Sequence, residues 1–184
     1  MICYLVKINW RKILTITSFV TPLSILQMTV LHLAAEFKCS AEIVNILIEA
    51  GADVHAVNGS QSTPLHFASK YSSVPVVKVL LEAGADVNAL NCSQCSPLHY
   101  ASKRNPAVVR VLLEAGAKVN VLDVVQCSPL YWAALFDHKE SVIALMKASA
   151  DLHLGENPLK DPKVSKKMKT LIKNLFKWRL FNII

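Results

Sequence analysis

Three histidines, His32, His66 and His99, recur along this chain at nearly constant spacing. A ladder of imidazoles is the residue pattern of a metal site or a proton relay. Stacked helices, however, stand roughly 8–10 Å apart, too far for rings on successive helices to share one ion. The spacing therefore favours structural histidines. Cys92-x-x-Cys95 invites a zinc or redox reading. A structural zinc needs four ligands, and no second Cys pair exists, because Cys127 lies one repeat away from Cys95. Redox chemistry at such a motif expects a helix N-terminus in a βαβ unit, and that context is missing. Five cysteines, an odd number without the paired spacing of a secreted scaffold, read as reduced thiols of a cytoplasmic or nuclear protein. No nucleophile stands with a base and an orienting acid, and there is no glycine-rich phosphate loop and no HExxH. The expectation is a non-enzyme without metal, cofactor or small-molecule substrate.

The elements that carry these residues repeat. Thr29-Val30-Leu31-His32, Thr63-Pro64-Leu65-His66, Ser96-Pro97-Leu98-His99 and Ser128-Pro129-Leu130-Tyr131 follow one another at steps of 34, 33 and 32 residues. A second block keeps phase with the first: Leu47-Ile48-Glu49-Ala50-Gly51-Ala52-Asp53, Leu80 to Asp86, Leu112 to Lys118 and, more weakly, Leu145 to Asp151. Each copy reads as helix, tight turn, helix, loop. Thr63, Ser96 and Ser128 can cap the first helix, and the proline that follows sits where its missing N–H costs nothing. Asn105-Pro106 repeats that grammar at a second helix. Val76, Val77, Val79, Leu80 and Leu81 make an apolar face, and Gly84 and its equivalents fit a left-handed helix terminus. One such pair cannot bury its apolar faces alone, whereas four stacked pairs can. Asp53, Asp86 and Asp151 recur because the repeat recurs, and read as loop hydrogen-bonding groups.

Thr63-Pro64-Leu65-His66-Phe67-Ala68 within a unit of about 33 residues resembles the ankyrin repeat. The resemblance covers about residues 27–155 and implies an all-α solenoid with repeats at 27–57, 58–90, 91–122 and 123–155. It also implies that the recurring histidine hydrogen-bonds loop backbone. The family usually has Gly two residues before the Thr, where this chain has Gln27, Gln61, Gln94 and Gln126. Asn58, Asn91 and Asp123 stand where Asp is usual, which leaves the shape of the hairpin loops open. Repeat 1 lacks the Pro, and repeat 4 has Tyr131 for His and Ser149 for Gly; terminal repeats are expected to be atypical.

What varies between copies carries the functional expectation. After the repeated Ala the first helices end differently: Glu36-Phe37, Lys70-Tyr71, Lys103-Arg104 and Leu135-Phe136. In the family this end faces the concave groove, so the resemblance implies a partner-protein site with a basic and aromatic centre. Lys70, Tyr71, Lys103 and Arg104 suit an acidic segment, with Arg104 able to grip a carboxylate in bidentate fashion. The blander reading is an ordinary solvated face. Phe67, Tyr100 and Trp132 align at one repeat position, and aromatics at fixed helical phase read as interhelix packing more than as a binding stripe.

The charge is uneven. The 184-residue chain carries a formal +7, of which residues 1–12 contribute +3, residues 160–184 contribute +7 and the middle −3. The central body is thus no nucleic-acid surface by charge. Hydrophobic residues make up 53%, enough for a substantial core, and five Gly with 7% aromatics argue against a β-sandwich. Residues 13–26 are uncharged and follow a basic stretch, as in a signal peptide, but no small-x-small cleavage site precedes the first repeat. Residues 1–26 are therefore expected to be an apolar cover of the open end of the stack, with a leader or anchor as the lesser reading. Residues 156–184 read as a basic tail. From Lys163 to Trp178, Val164, Met168, Leu171, Ile172 and Leu175 share one helical face, with Lys166, Lys167, Lys169, Lys173 and Lys177 largely on others. Capping of the last repeat is the first expectation, binding of an anionic membrane surface the alternative, and Lys166-Lys167-Met168-Lys169 is a weak nuclear-import signal.

Overall fold

A computed structural model describes residues 28–71 and 74–181. The apolar cover expected at residues 1–26 lies outside the described residues.

The first helix of each repeat follows its Thr or Ser. Described in chain order, the helices are α1 (Val30–Glu36), α2 (Ala41–Glu49), α3 (Pro64–Tyr71), α4 (Val74–Glu82), α5 (Pro97–Ser102), α6 (Pro106–Glu114), α7 (Pro129–Leu135), α8 (Lys139–Lys147) and α9 (Lys166–Phe181). They stack in two layers, α1–α3–α5–α7 and α2–α4–α6–α8, and α9 closes on α8. The fold is the all-α repeat stack that the repeat pattern requires.

The prolines of α5 and α7 sit in the first helical turn, after Ser96 and Ser128 in extended conformation. Asn105 caps α6 by accepting from the Ala107 N–H at 2.9 Å. The second helices end in a Schellman arrangement: Gly84 N–H donates to the Leu81 carbonyl and Ala85 N–H to the Leu80 carbonyl. That turn needs a left-handed residue, and Gly51, Gly84 and Gly116 have φ of 90°, 88° and 83°. Ser149 holds the same place in repeat 4 at φ 66°.

The core runs between the layers. Leu31, Leu65, Leu98 and Leu130 line it from the first helices, and Leu47, Leu80, Leu112 and Leu145 from the second; all eight are buried. Burying each contributes about 1.5–3 kcal/mol. Of the apolar face expected on α4, Val76, Val77 and Leu80 are wholly buried, whereas Val79 and Leu81 are half-buried on its flank.

The three hairpins share one shape despite their unusual residues. Asn58 Oδ1 accepts from the N–H groups of Ser60 and Ser62, Asn91 Oδ1 from Ser93 and Cys95, and Asp123 Oδ1 from Val125 and Cys127. Oδ1 is common to Asn and Asp, so either residue builds the loop. Gln61, Gln94 and Gln126 each take the left-handed position, at φ 58°, 55° and 62°, a conformation costing about 1–2 kcal/mol for a side chain other than Gly.

The tail seals the last repeat. Glu156 N–H donates to the Gln126 carbonyl at 2.7 Å. A Cβ on Gly155 would collide with that oxygen, so only glycine fits there. Helix α9 starts later than Lys163, because Asp161 to Val164 form a turn and Ser165 Oγ caps the helix by accepting from Met168 N–H at 3.1 Å. Val164, Met168 and Ile172 are buried. Arg179 donates to the Ala150 carbonyl at 2.9 Å, an anchor that the apolar pattern does not reveal.

Candidate interaction surface

The histidines form the rail that holds the first-layer helices in register. His66 is at the third helical position, and Thr63 N–H donates to its Nδ1 at 3.0 Å. A backbone N–H can only donate, so Nδ1 is the acceptor and the ring proton is on Nε2. That proton is donated across the repeat boundary to the Cys95 carbonyl at 3.0 Å. His32 does the same between Thr29 and the Ser62 carbonyl (2.8 Å), and His99 between Ser96 and the Cys127 carbonyl (3.2 Å). Histidine thus takes the capping-box place usually held by Glu or Gln while stitching each repeat to the next. Burial holds all three imidazoles below their ordinary pKa, His66 and His99 at about 4. In repeat 4 the longer Tyr131 donates instead to the Asp161 carboxylate in the tail, which raises the phenol and lowers the carboxyl.

From this rail the variable ends project. Glu36 Oε1 accepts from the Tyr71 hydroxyl at 3.1 Å, joining repeats 1 and 2. Lys70 Nζ lies 5.1 Å from the centroid of the Tyr71 ring. Lys103 Nζ sits 3.4 Å from the Trp132 centroid and 5.8 Å from Tyr100, joining repeats 3 and 4. Its half-buried position lowers the lysine below its ordinary value, mainly through desolvation. Leu135 is half-buried, and the Phe136 ring packs tilted on Trp132 with centroids 5.9 Å apart. Arg104 stands exposed, as do Phe37 and Phe136, the two phenylalanines with half or more of their surface in water. The eight residues thus occupy equivalent positions at the ends of four adjacent helices. Direct contacts join Glu36 to Tyr71 and Lys70 to Tyr71, while Lys103 contacts Trp132.

Phe67, Tyr100 and Trp132 do pack between repeats: Phe67 meets His32 edge-on at 5.2 Å, and Tyr100 meets His66 at 5.9 Å. They remain half-buried. Trp132 Nε1 donates to Asp123 Oδ2 at 2.9 Å. Sequence reasoning misses the pairing of Lys103 with Trp132. Its one signal is a lysine and a tryptophan at positions about one helical turn apart in neighbouring repeats. The hairpin beside it ends in Val124 and Val125, both about 60% exposed, where the other tips carry Gly59-Ser60 and Cys92-Ser93.

Two of the thiols, Cys95 and Cys127, are chemically quiet. Burial raises Cys95, and burial followed by the Asp123 charge pushes Cys127 up to about 11, so neither is a thiolate at neutral pH. Among the described residues no group of three or more His, Cys, Asp or Glu side chains is placed to hold a metal. Among them, too, no helix is long and apolar enough to cross a membrane.

Residues 31–123 and 90–156 match the family model for ankyrin repeats, in three copies. No curated protein matches the chain.

Proposed function

We propose that this chain, which belongs to the ankyrin-repeat family, holds a partner protein against the ends of its first-layer helices, as an adaptor, inhibitor or targeting subunit. Ankyrin repeats generally mediate protein–protein interaction, and the concave groove is where the resemblance puts it. The observation that carries the reading here is Lys103 held over Trp132, with Arg104 exposed beside it. A cation fixed on an indole face is ordered before any partner arrives, which lowers the entropy cost of using it. Arg104 offers a two-pronged donor for carboxylate, and Phe37, Phe136, Val124 and Val125 offer exposed apolar area. The partner segment suited to this row is acidic, with an apolar residue toward repeat 4. No catalytic step is part of the proposal.

Affinity capture with the native chain and with the variant Lys70→Ala, Tyr71→Ala, Lys103→Ala, Arg104→Ala tests it. The expected result is a partner retained by the native chain and lost by the variant, with circular dichroism showing the variant folded. Equal recovery by both would sink the assignment.

A further inference from the structure

The tail helix has two faces, and the stack buries one of them. Met168 and Ile172 are buried against the last repeat, Leu171, Leu175 and Phe176 pack partly on the same core, and Arg179 reaches the Ala150 carbonyl. On the opposite side Lys166, Thr170, Lys173, Lys177 and Phe181 follow one another at intervals of four, three, four and four residues, which puts them in one stripe along the helix. All five are exposed, Phe181 to 78%. Lys167 and Trp178 are exposed next to the stripe, the tryptophan to 57%. Residues 162–184 hold seven Lys and Arg and no Asp or Glu.

We propose that this outer face of α9 docks the protein on an anionic lipid bilayer, with the lysines over the headgroups and Phe181 at the level of the acyl boundary. Charge complementarity alone would also suit an acidic protein or a nucleic acid. The run of residues favours lipid, because the cationic stripe ends in the large apolar side chain of Phe181 on the same face, with Trp178 exposed beside it. Lipid offers lysines a negative surface and aromatic rings an apolar phase at the adjoining depth. Because the inner face is anchored to α8, the stripe is presented on a rigid support and need not fold on contact. Docking through α9 uses none of the first-layer residues of the partner surface.

The test uses the full chain and co-sedimentation with vesicles of phosphatidylcholine alone or mixed with phosphatidylserine. Binding is expected only to the phosphatidylserine vesicles and should weaken as salt rises. The variant Lys166→Gln, Lys173→Gln, Lys177→Gln should bind about a hundredfold more weakly, the loss expected for three lysines near an anionic surface. Phe181→Ser should weaken binding while leaving its salt dependence in place. All four positions are exposed, so unchanged helicity by circular dichroism certifies the variants. No binding to phosphatidylserine vesicles, equal binding to both vesicle types, or equal binding by the lysine variant would overturn the proposal. So would preferential retention on polyglutamate or duplex DNA when vesicles compete.

Discussion

Acidification should loosen the stack through its histidine rail. His66 and His99 have folded-state pKa values of about 4, against 6.5 for a free imidazole. The folded value is depressed for a base, so between these two values the unfolded chain binds more protons than the folded one. Stability therefore rises with pH; it is complete above about 6.5 and is lost as pH falls from there toward about 4. At about pH 5 the loss amounts to about 2 kcal/mol for each ring, or about 4 kcal/mol for the two. The physical step is protonation of Nδ1, which turns the acceptor of Thr63 or Ser96 N–H into a competing donor. Urea melts followed by far-ultraviolet circular dichroism at about pH 7.5 and about pH 5 measure it. His66→Gln should cost about 1–3 kcal/mol at neutral pH, because it leaves buried partners unpaired, and should remove about 2 kcal/mol of the pH dependence. An array equally stable at both pH values, or a variant with the native slope, would refute the assignment of Nδ1 as a buried acceptor.

Other substitutions test the packing and the loops. Leu98 is wholly buried, and Leu98→Ala should cost about 3–5 kcal/mol through lost transfer energy and a residual cavity; a urea midpoint within error of native would contradict the stacking of α5. Ser69 and Ser102 are buried with hydroxyls that meet no hydrogen-bond partner among the described residues, and repeats 1 and 4 carry Ala35 and Ala134 there. Ser69→Ala and Ser102→Ala should each stabilise by about 1 kcal/mol, read as a rise in melting temperature, and a fall would mean that the hydroxyls are satisfied. Gln94→Gly should be stabilising by up to about 1 kcal/mol, since relief of the left-handed strain exceeds the entropy glycine adds to the unfolded chain; a clear loss of stability would show that the Gln94 side chain contributes.

The parts of this molecule that repeat are the parts legible in the sequence. The Pro after Ser96 and Ser128, Gly84 after α4 and the leucines in phase each act through the local backbone or a helical period, so residue type and spacing suffice. The recurring histidines are expected to hydrogen-bond loop backbone, and their Nε2 contacts to the Ser62, Cys95 and Cys127 carbonyls bear that out. Gln61, Gln94 and Gln126 leave the hairpin shape open, since sequence does not state the cost a loop will bear; the Oδ1 contacts of Asn58, Asn91 and Asp123 hold it. Lys103 over Trp132, Tyr131 to Asp161 and Arg179 to the Ala150 carbonyl join residues about 30 positions apart. None of these has a period; the first depends on how one repeat is set on the next, the other two on how the tail is set on the last repeat.

The central claim, that a partner lies along the ends of the first-layer helices, is tested most directly by site-specific photo-crosslinking. A photo-reactive residue would replace Phe37, Arg104 or Phe136, and in parallel Lys78, Arg110 or Lys147, which are exposed on the second layer. The account predicts one partner adduct from the first three positions and none from the second three. Adducts from Lys78, Arg110 and Lys147 alone, or equally from all six, would contradict it.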